Sequence, residues 1–282
     1  MLTVIGRPQW NSRLIPRAPC SKLRARQMRR PGMNAKTADI IAYYDTQAQR
    51  KLRDFIYSNR RVECAWEAIT QYGGTPARIL EVGCGVGSVC YRLSRRFPLA
   101  EIVGVDFSPG NLAIAERAFR RDNLRFTLMS VDTPFDLGLF DLTILMDVYE
   151  HVSPGHRRQL HSNLQCSLRG DKRVIATFPT PRHIAWLRAN CPTEVQPVDE
   201  DITPDVVCSL ARDIGVSLLM YREVDVWRQG DYAHAVLGAS GFPAPVAVRN
   251  HSRAVRGLLR LKNWVEYRRR LAKIKASGLM TL

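Results

Sequence analysis

Short apolar runs alternate with amphipathic stretches through the middle of this 282-residue chain. The runs are Arg78 to Val82, Ile102 to Val105, Leu124 to Leu128, Leu142 to Met146 and Val174 to Phe178, and they read as strands. Between them, Val89, Leu93 and Phe97, then Leu112, Ala115 and Phe119, then Leu160, Leu164 and Leu168 fall on single helical faces. Strand and helix in strict alternation predict a parallel sheet wrapped on both sides. Upstream, the pattern turns helical from Thr37 to Tyr72, most clearly where Val62, Ala65, Trp66, Ile69 and Tyr72 recur at helical spacing, and Gly73-Gly74 ends it. Downstream, Thr203-Pro204 supplies a cap and a first helical residue for a helix to about Asp213. Ser217 to Glu223 and Tyr232 to Leu237, joined by the turn-rich Arg228-Gln229-Gly230-Asp231, predict a hairpin and hence an antiparallel last strand. The expected architecture is α/β: a doubly wound, mainly parallel seven-stranded sheet with an antiparallel last strand.

The chain is near the upper length that one hydrophobic core serves, so one domain with appendages is expected. The predicted organisation is a basic disordered leader (1–36), a domain over 37–240 divided into N-terminal helices (37–74) and an α/β core (75–240), and a basic helical extension (241–282). The net charge of +16 is unevenly placed: residues 1–36 carry +9, residues 249–282 carry +9, and the body between them carries −2. Any nucleic acid or anionic membrane surface would therefore meet the tails, because the body has no net positive field of its own. The Arg-rich leader, with prolines at 8, 16, 19 and 31, has three open readings: a transit peptide, a nucleic-acid-binding arm, or upstream sequence ahead of a start at Met33. In the extension, Ala254, Leu258, Leu261 and Val265 share one helical face amid arginines, suiting a membrane surface, RNA or packing on the core. Seven scattered cysteines without a C-x-x-C pair argue against a disulfide framework and a zinc site; no metal is expected. No run approaches the roughly 18 apolar residues that span a bilayer, and a cytoplasmic protein is expected.

The strongest chemical signal is EVGCGVGS, where the first strand gives way to the first core helix. Glycines there let the backbone turn sharply and approach a ligand, and the helix N-terminus offers free N–H groups. A dinucleotide fingerprint would need its third glycine at position 88, which is Ser88. Glu81 would also repel a pyrophosphate, and it suits a ligand carrying an ammonium group. Glu81-x-Gly83-x-Gly85-x-Gly87 resembles the first motif of class I S-adenosylmethionine-dependent methyltransferases, of the small-molecule or saccharide type. Asp106, closing the second strand, resembles that family's acidic residue that accepts both ribose hydroxyls. Ser130-Val131-Asp132 resembles the position that bonds the adenine amino group through Asp132, and residues 140–152 resemble the segment beside the methionine moiety. The resemblance covers roughly 75–180 and implies a Rossmann-like methyltransferase fold, S-adenosyl-L-methionine as cofactor, and cofactor contacts from Glu81, Gly83, Cys84, Gly85, Gly87, Asp106, Phe107, Asn111, Asp132, Met146 and Tyr44.

His151 is the histidine beside this site, either as the general base that takes the acceptor's proton or as a residue that fixes the loop by hydrogen bonds. Asp147 and Glu150 are alternative bases, and Tyr43 joins Tyr44 as a possible cover over the cofactor. The link from 179 to 201 is where the acceptor pocket is expected, with His183, Trp186 and Glu194 as candidate contacts, although it reads equally as plain connection. The expected activity is methyl transfer to an oxygen or nitrogen of a small molecule or saccharide. The alternatives are an RNA methyltransferase using the tails and a cofactor-binding relative without activity. Against the nucleic-acid reading, Met146-Asp147-Val148-Tyr149 stands where base-amino enzymes carry N/D-P-P-Y, and no Pro-Cys pair is present there. Acceptor identity and oligomeric state are not fixed by the sequence.

Overall fold

The computed structural model describes residues 35–239 and 253–279, with side chains over 39–239 and 264–279. The leader to residue 34, Cys20, and the side chains of Ala254, Leu258 and Leu261 lie outside the described residues. The N-terminal helical stretch is three helices, α1 (Ala35–Thr46), α2 (Ala48–Tyr57) and α3 (Arg60–Tyr72), the first starting two residues inside the expected leader. The break before α3 has a local cause: Ser58 sits at φ +65°, and the Asn59 side chain accepts from Arg61 N to cap the new helix.

The core then follows the expected alternation except between β3 and β4, which no helix separates: β1 (Arg78–Val82), α4 (Ser88–Arg96), β2 (Glu101–Asp106), α5 (Pro109–Ala118), β3 (Leu124–Leu128), β4 (Phe140–Met146), α6 (Pro154–Ser167), β5 (Leu168–Pro179), α7 (Pro181–Asn190), α8 (Pro204–Asp213), β6 (Ser217–Val224), β7 (Tyr232–Gly238) and α9 (Arg253–Ala276). The seven strands lie in the order β3-β2-β1-β4-β5-β7-β6. The first five are mutually parallel, and β7 inserts antiparallel between β5 and β6, as the hairpin pattern predicts. The order reverses between β1 and β2 on one side and β1 and β4 on the other, so a crevice opens beyond the carboxyl end of β1.

The pleat divides the core into two layers. Leu80, Val82, Val103, Val105 and Leu145 face α6 and α8, while Ile79, Ile102, Leu142, Ile144 and Val236 face α3 and α4. A third cluster joins Leu52 and Phe55 of α2, Ala118 and Phe119 at the end of α5, and Ile274 of α9. The described part of the C-terminal helix thus packs on the body, with Ile274 fully buried, Arg270 turned inward to donate to Phe55 O and Ser58 Oγ, and Arg268 and Arg269 outward.

Two expectations change. Leu168 belongs to β5 rather than to the face of α6; it is buried in the same cluster as Leu160 and Leu164, so the periodicity registered its burial while the backbone had already turned. The link after β5 is not plain connection, because it contains α7. Thr180 caps that helix, its hydroxyl accepting from His183 N, and Pro181 takes the first helical position. Among the described residues, no helix is long and apolar enough to cross a membrane.

Candidate functional site

The loop from β1 to α4 is shaped by glycine. Gly83 (φ +70°), Gly85 (φ +54°) and Gly87 (φ +80°) are all left-handed, and the N–H groups of Gly83 and Cys84 both donate to Val105 O. A Cβ on Gly83 would come within 2.4 Å of Val148 Cγ2, whereas one on Gly85 would meet only the tip of Lys51, Nζ at 2.9 Å. Gly83 is therefore closed by the fold, and Gly85 presents an open backbone face. At the end of β2, Asp106 is buried, with one carboxylate oxygen accepting from Gly85 N (2.7 Å) and the other from Ser108 N (2.9 Å).

Glu81 is buried on β1, two residues before Gly83, and accepts from Cys90 Sγ. Burial pushes its carboxyl up to about 7, against the lowering effect of the Cys90 bonds. Lys51 reaches in from α2, and burial lowers the pKa of its ammonium while Asp106, Cys84 and Glu81 oppose that fall. Asn111, in the first turn of α5, is buried with both amide atoms unpartnered.

The donor set fits a zwitterionic amino acid joined to a ribose. Carboxylates at Glu81 and Asp106 suit an ammonium and hydroxyl groups, the Lys51 ammonium suits a carboxylate, and the orphaned Asn111 amide offers a further donor and acceptor. Tyr44 stands over this end, edge-on to Phe107 at 5.4 Å and 6.1 Å from the His151 ring. Its hydroxyl is raised well above the ordinary value, by burial first and then by Glu150 and Asp199.

A cavity of about 660 Å³ runs from this loop past Met146 to a second, aromatic end. Asp147 lies midway, at φ +54° and ion-paired with Arg61 of α3. His151 is bonded through Nδ1, which lies 2.7 Å from Val198 O and 3.1 Å from Asp199 Oδ1; its Nε2 lies 3.7 Å from Glu150 Oε1, beyond hydrogen-bond reach. Burial lowers its pKa, but Glu150 and Asp199 outweigh that and leave it raised. Glu150 is raised in turn, chiefly by burial. His151 therefore ties the loop after β4 to the link after α7.

The far end is built by α7 and the β6–β7 hairpin. Asp231 accepts from the backbone N–H groups of Val226, Trp227 and Arg228, which folds the hairpin tip. The Thr180 hydroxyl donates to Gly230 O at 2.8 Å and fastens that tip to α7. Trp186, Trp227 and Tyr232 thereby surround His183, and the Arg228 guanidinium lies 3.1 Å from the Trp186 ring centre.

The fold thus brings Glu81, Gly83, Cys84, Gly85, Met146, Asp147, Glu150, His151, Tyr43, Tyr44, His183, Trp186 and Glu194 to one cavity. Gly87, Asp106, Phe107 and Asn111 do not line it; Asp106 is buried behind the loop, bonded to Gly85 N. Asp132 does not line the cavity; it is half-exposed, close to Ser130 and 3.6 Å from His156. Lys51, Arg61, Trp227, Arg228 and Tyr232 are cavity residues that the sequence reading missed. The helical residues among them carried no signal beyond a polar helix face, Arg228 read only as part of a turn, and Tyr232 only as the start of a strand. Among the described residues, no group of three or more His, Cys, Asp or Glu side chains is placed to hold a metal ion.

Residues 79–171 match the family model described as Methyltransferase domain. The chain is 30% identical over 131 residues to demethylmenaquinone methyltransferase of Thermus thermophilus, covering 45% of this chain and 56% of that protein. It is 35% identical over 77 residues to ubiquinone biosynthesis O-methyltransferase of Bradyrhizobium diazoefficiens, covering 27% of this chain and 30% of that protein. The chain thus spans little more than half of the first relative and under a third of the second. Among solved structures, a TehB-like SAM-dependent methyltransferase from Corynebacterium glutamicum superposes with a TM-score of 0.52 at 19% identity, covering 71% of this chain and 99% of that one. A DhpI-SAH complex superposes at 0.54 and 18% identity, covering 73% and 97%. At such identities these structures establish a shared fold.

Proposed function

Since residues 79–171 form a domain of the class I S-adenosylmethionine-dependent methyltransferase family, we propose that this chain transfers a methyl group from S-adenosylmethionine to an oxygen or nitrogen of a small molecule or saccharide. The observation that carries this reading is the single cavity joining the glycine loop to an aromatic end, which lets cofactor and acceptor share one enclosure. Glu81 would hold the ammonium group, Asp106 the ribose hydroxyls and Lys51 the carboxylate, with Tyr44 and Phe107 closing over them. When bound, the cofactor supplies an electrophilic methyl group on a sulfonium. The chain's own contribution is mainly positioning, which supplies on the order of 7 to 11 kcal/mol in well-oriented systems. Trp186, Trp227 and Tyr232 offer faces for a flat or sugar ring, and the Arg61–Asp147 pair fixes the end of β4 between the two halves.

The test is calorimetry followed by transfer. S-adenosylhomocysteine should bind and NAD should not. Asp106→Ala should weaken that binding roughly tenfold or more, since each charge-assisted hydrogen bond contributes about 1.5 to 3 kcal/mol. Radiolabel from the cofactor should appear in the small-molecule fraction of a source-cell extract. NAD binding without a response to S-adenosylhomocysteine, or label confined to the RNA fraction, would overturn the reading.

A further inference from the structure

We propose that the imidazole of His183 takes the proton from the acceptor's hydroxyl as the methyl group is transferred; this rests on the methyltransferase reading above. His183 stands in the first turn of α7, and its place is fixed by Thr180, which both caps the helix and holds the hairpin tip. The residue is only 6% exposed and lines the cavity. Ring centres lie at 6.3 Å from Trp186, 6.1 Å from Trp227 and 5.7 Å from Tyr232, the first nearly parallel at 14°. Inside this box the imidazole makes no hydrogen bond to any described residue, and its Nδ1 is buried without a partner. Buried polar atoms are almost always paired, so an orphan on a cavity wall points to a partner that arrives with a ligand.

Among the described residues, the other histidines are bonded elsewhere or lie away from the aromatic end. His151 is bonded through Nδ1 to Val198 O with Asp199 beside it; His161 is held by Tyr149 and Asp213; His156 is exposed beside Ser153; and His234, its Nδ1 also unpartnered, lies in the core on β7. Four charged groups bear on His183. Arg228 disfavours its protonation, while Asp231, Asp199 and Glu194 favour it, and the Asp231 carboxylate is already occupied by three backbone N–H groups. Burial is the largest influence and leaves the pKa below its ordinary value, so the ring keeps a free lone pair at neutral pH. In the step, the acceptor O–H bond breaks and its proton goes to a ring nitrogen of His183. The oxygen's electron pair forms the new O–CH₃ bond, the C–S bond breaks with its pair passing to sulfur, and the sulfonium's positive charge ends on the imidazolium.

The test uses the full chain saturated with S-adenosylhomocysteine and labelled with ¹³C and ¹⁵N. Nuclear magnetic resonance should show the His183 ring, assigned by through-bond connectivity in the wild-type chain, neutral at pH 7 with a midpoint below the ordinary 6.5. His183→Gln should keep its affinity for S-adenosylhomocysteine while lowering label transfer to the small-molecule extract by about 10² to 10⁴. Imidazole added to His183→Gly should restore part of the loss. A His183 ring charged at pH 7 in the wild-type chain, a reading that needs no variant to fold, would overturn the proposal, as would His183→Gln transferring label within twofold of wild type. If the wild-type chain does not bind S-adenosylhomocysteine at all, the methyltransferase reading falls instead, whatever the midpoint of His183.

Discussion

Gly83 and Gly85 are two residues apart and share a left-handed backbone, yet they answer to different neighbours. A methyl group at Gly83 strikes the branched Val148 side chain at 2.4 Å, and one at Gly85 strikes only the movable end of Lys51 at 2.9 Å. Gly83→Ala should therefore lower thermal stability, with the left-handed backbone alone costing about 1 to 2 kcal/mol. Gly85→Ala should lose less stability beyond that shared strain and instead weaken S-adenosylhomocysteine binding, because its face is open to the cavity. Thermal melts and calorimetry on both variants separate the two effects. His151 gives a prediction in pH. Its folded pKa is raised by Glu150 and Asp199, so the stability it contributes is complete below the unfolded value of about 6.5 and is lost as pH rises through the folded one. The melting temperature of His151→Gln should fall below wild type at pH 6, and the gap should shrink as pH rises above 6.5. A gap independent of pH would mean that His151 is neutral in the folded chain. The glycine spacing was legible in the sequence because the turn it makes is local. The commitment of His151 to Val198 and Asp199 was not, since those partners lie 47 and 48 positions away in the chain.

At the scale of elements, α7 and the β6–β7 hairpin act as one unit, sewn together by Thr180. Its hydroxyl accepts from His183 N at 3.4 Å and donates to Gly230 O at 2.8 Å, and its N–H donates to Asp231 O at 2.9 Å. Thr180→Val keeps the shape and removes the hydroxyl's bonds to His183 N, Gly230 O and Asp231 O. It should cost about 1 kcal/mol for the cap and a similar amount for the buried bond to Gly230. Hydrogen exchange should accelerate at the first turn of α7 and at the hairpin tip while β1 to β4 stay protected; uniform exchange through the sheet would refute the unit. The Thr-Pro signal that marked α8 at Thr203-Pro204 is present again at Thr180-Pro181. In the sequence it reads as loop, because the link around it is rich in prolines and polar residues. What no local signal carried was the place of Trp227 and Arg228, since only the antiparallel insertion of β7 beside β5 brings the hairpin tip to α7.

For the molecule as a whole, charge and burial separate what the two ends do. The described part of α9 is anchored through Ile274, fully buried against the cluster that includes Leu52 and Phe119. Ile274→Ala should destabilise the chain by about 2 to 5 kcal/mol, measured by denaturant unfolding; a cost near zero would detach α9 from the body. Removing residues 1–32 should leave S-adenosylhomocysteine binding and thermal stability unchanged, because that segment has no pattern able to bury a core. Any RNA affinity should fall steeply with salt and weaken on that truncation, since the body between the basic ends carries −2. By itself the sequence determined the layered α/β order, the antiparallel hairpin, the turn at the glycine loop and the acidic residue closing β2. Each of these is written in neighbouring residues, through period, capping or backbone freedom. The tertiary structure alone decided that Lys51 lies over Gly85, that Arg61 pairs with Asp147, and that a hairpin tip closes an aromatic box around His183. Those contacts join residues tens to more than eighty positions apart on different helices and strands. They arise only when both faces of the sheet are packed, so no local period or spacing records them.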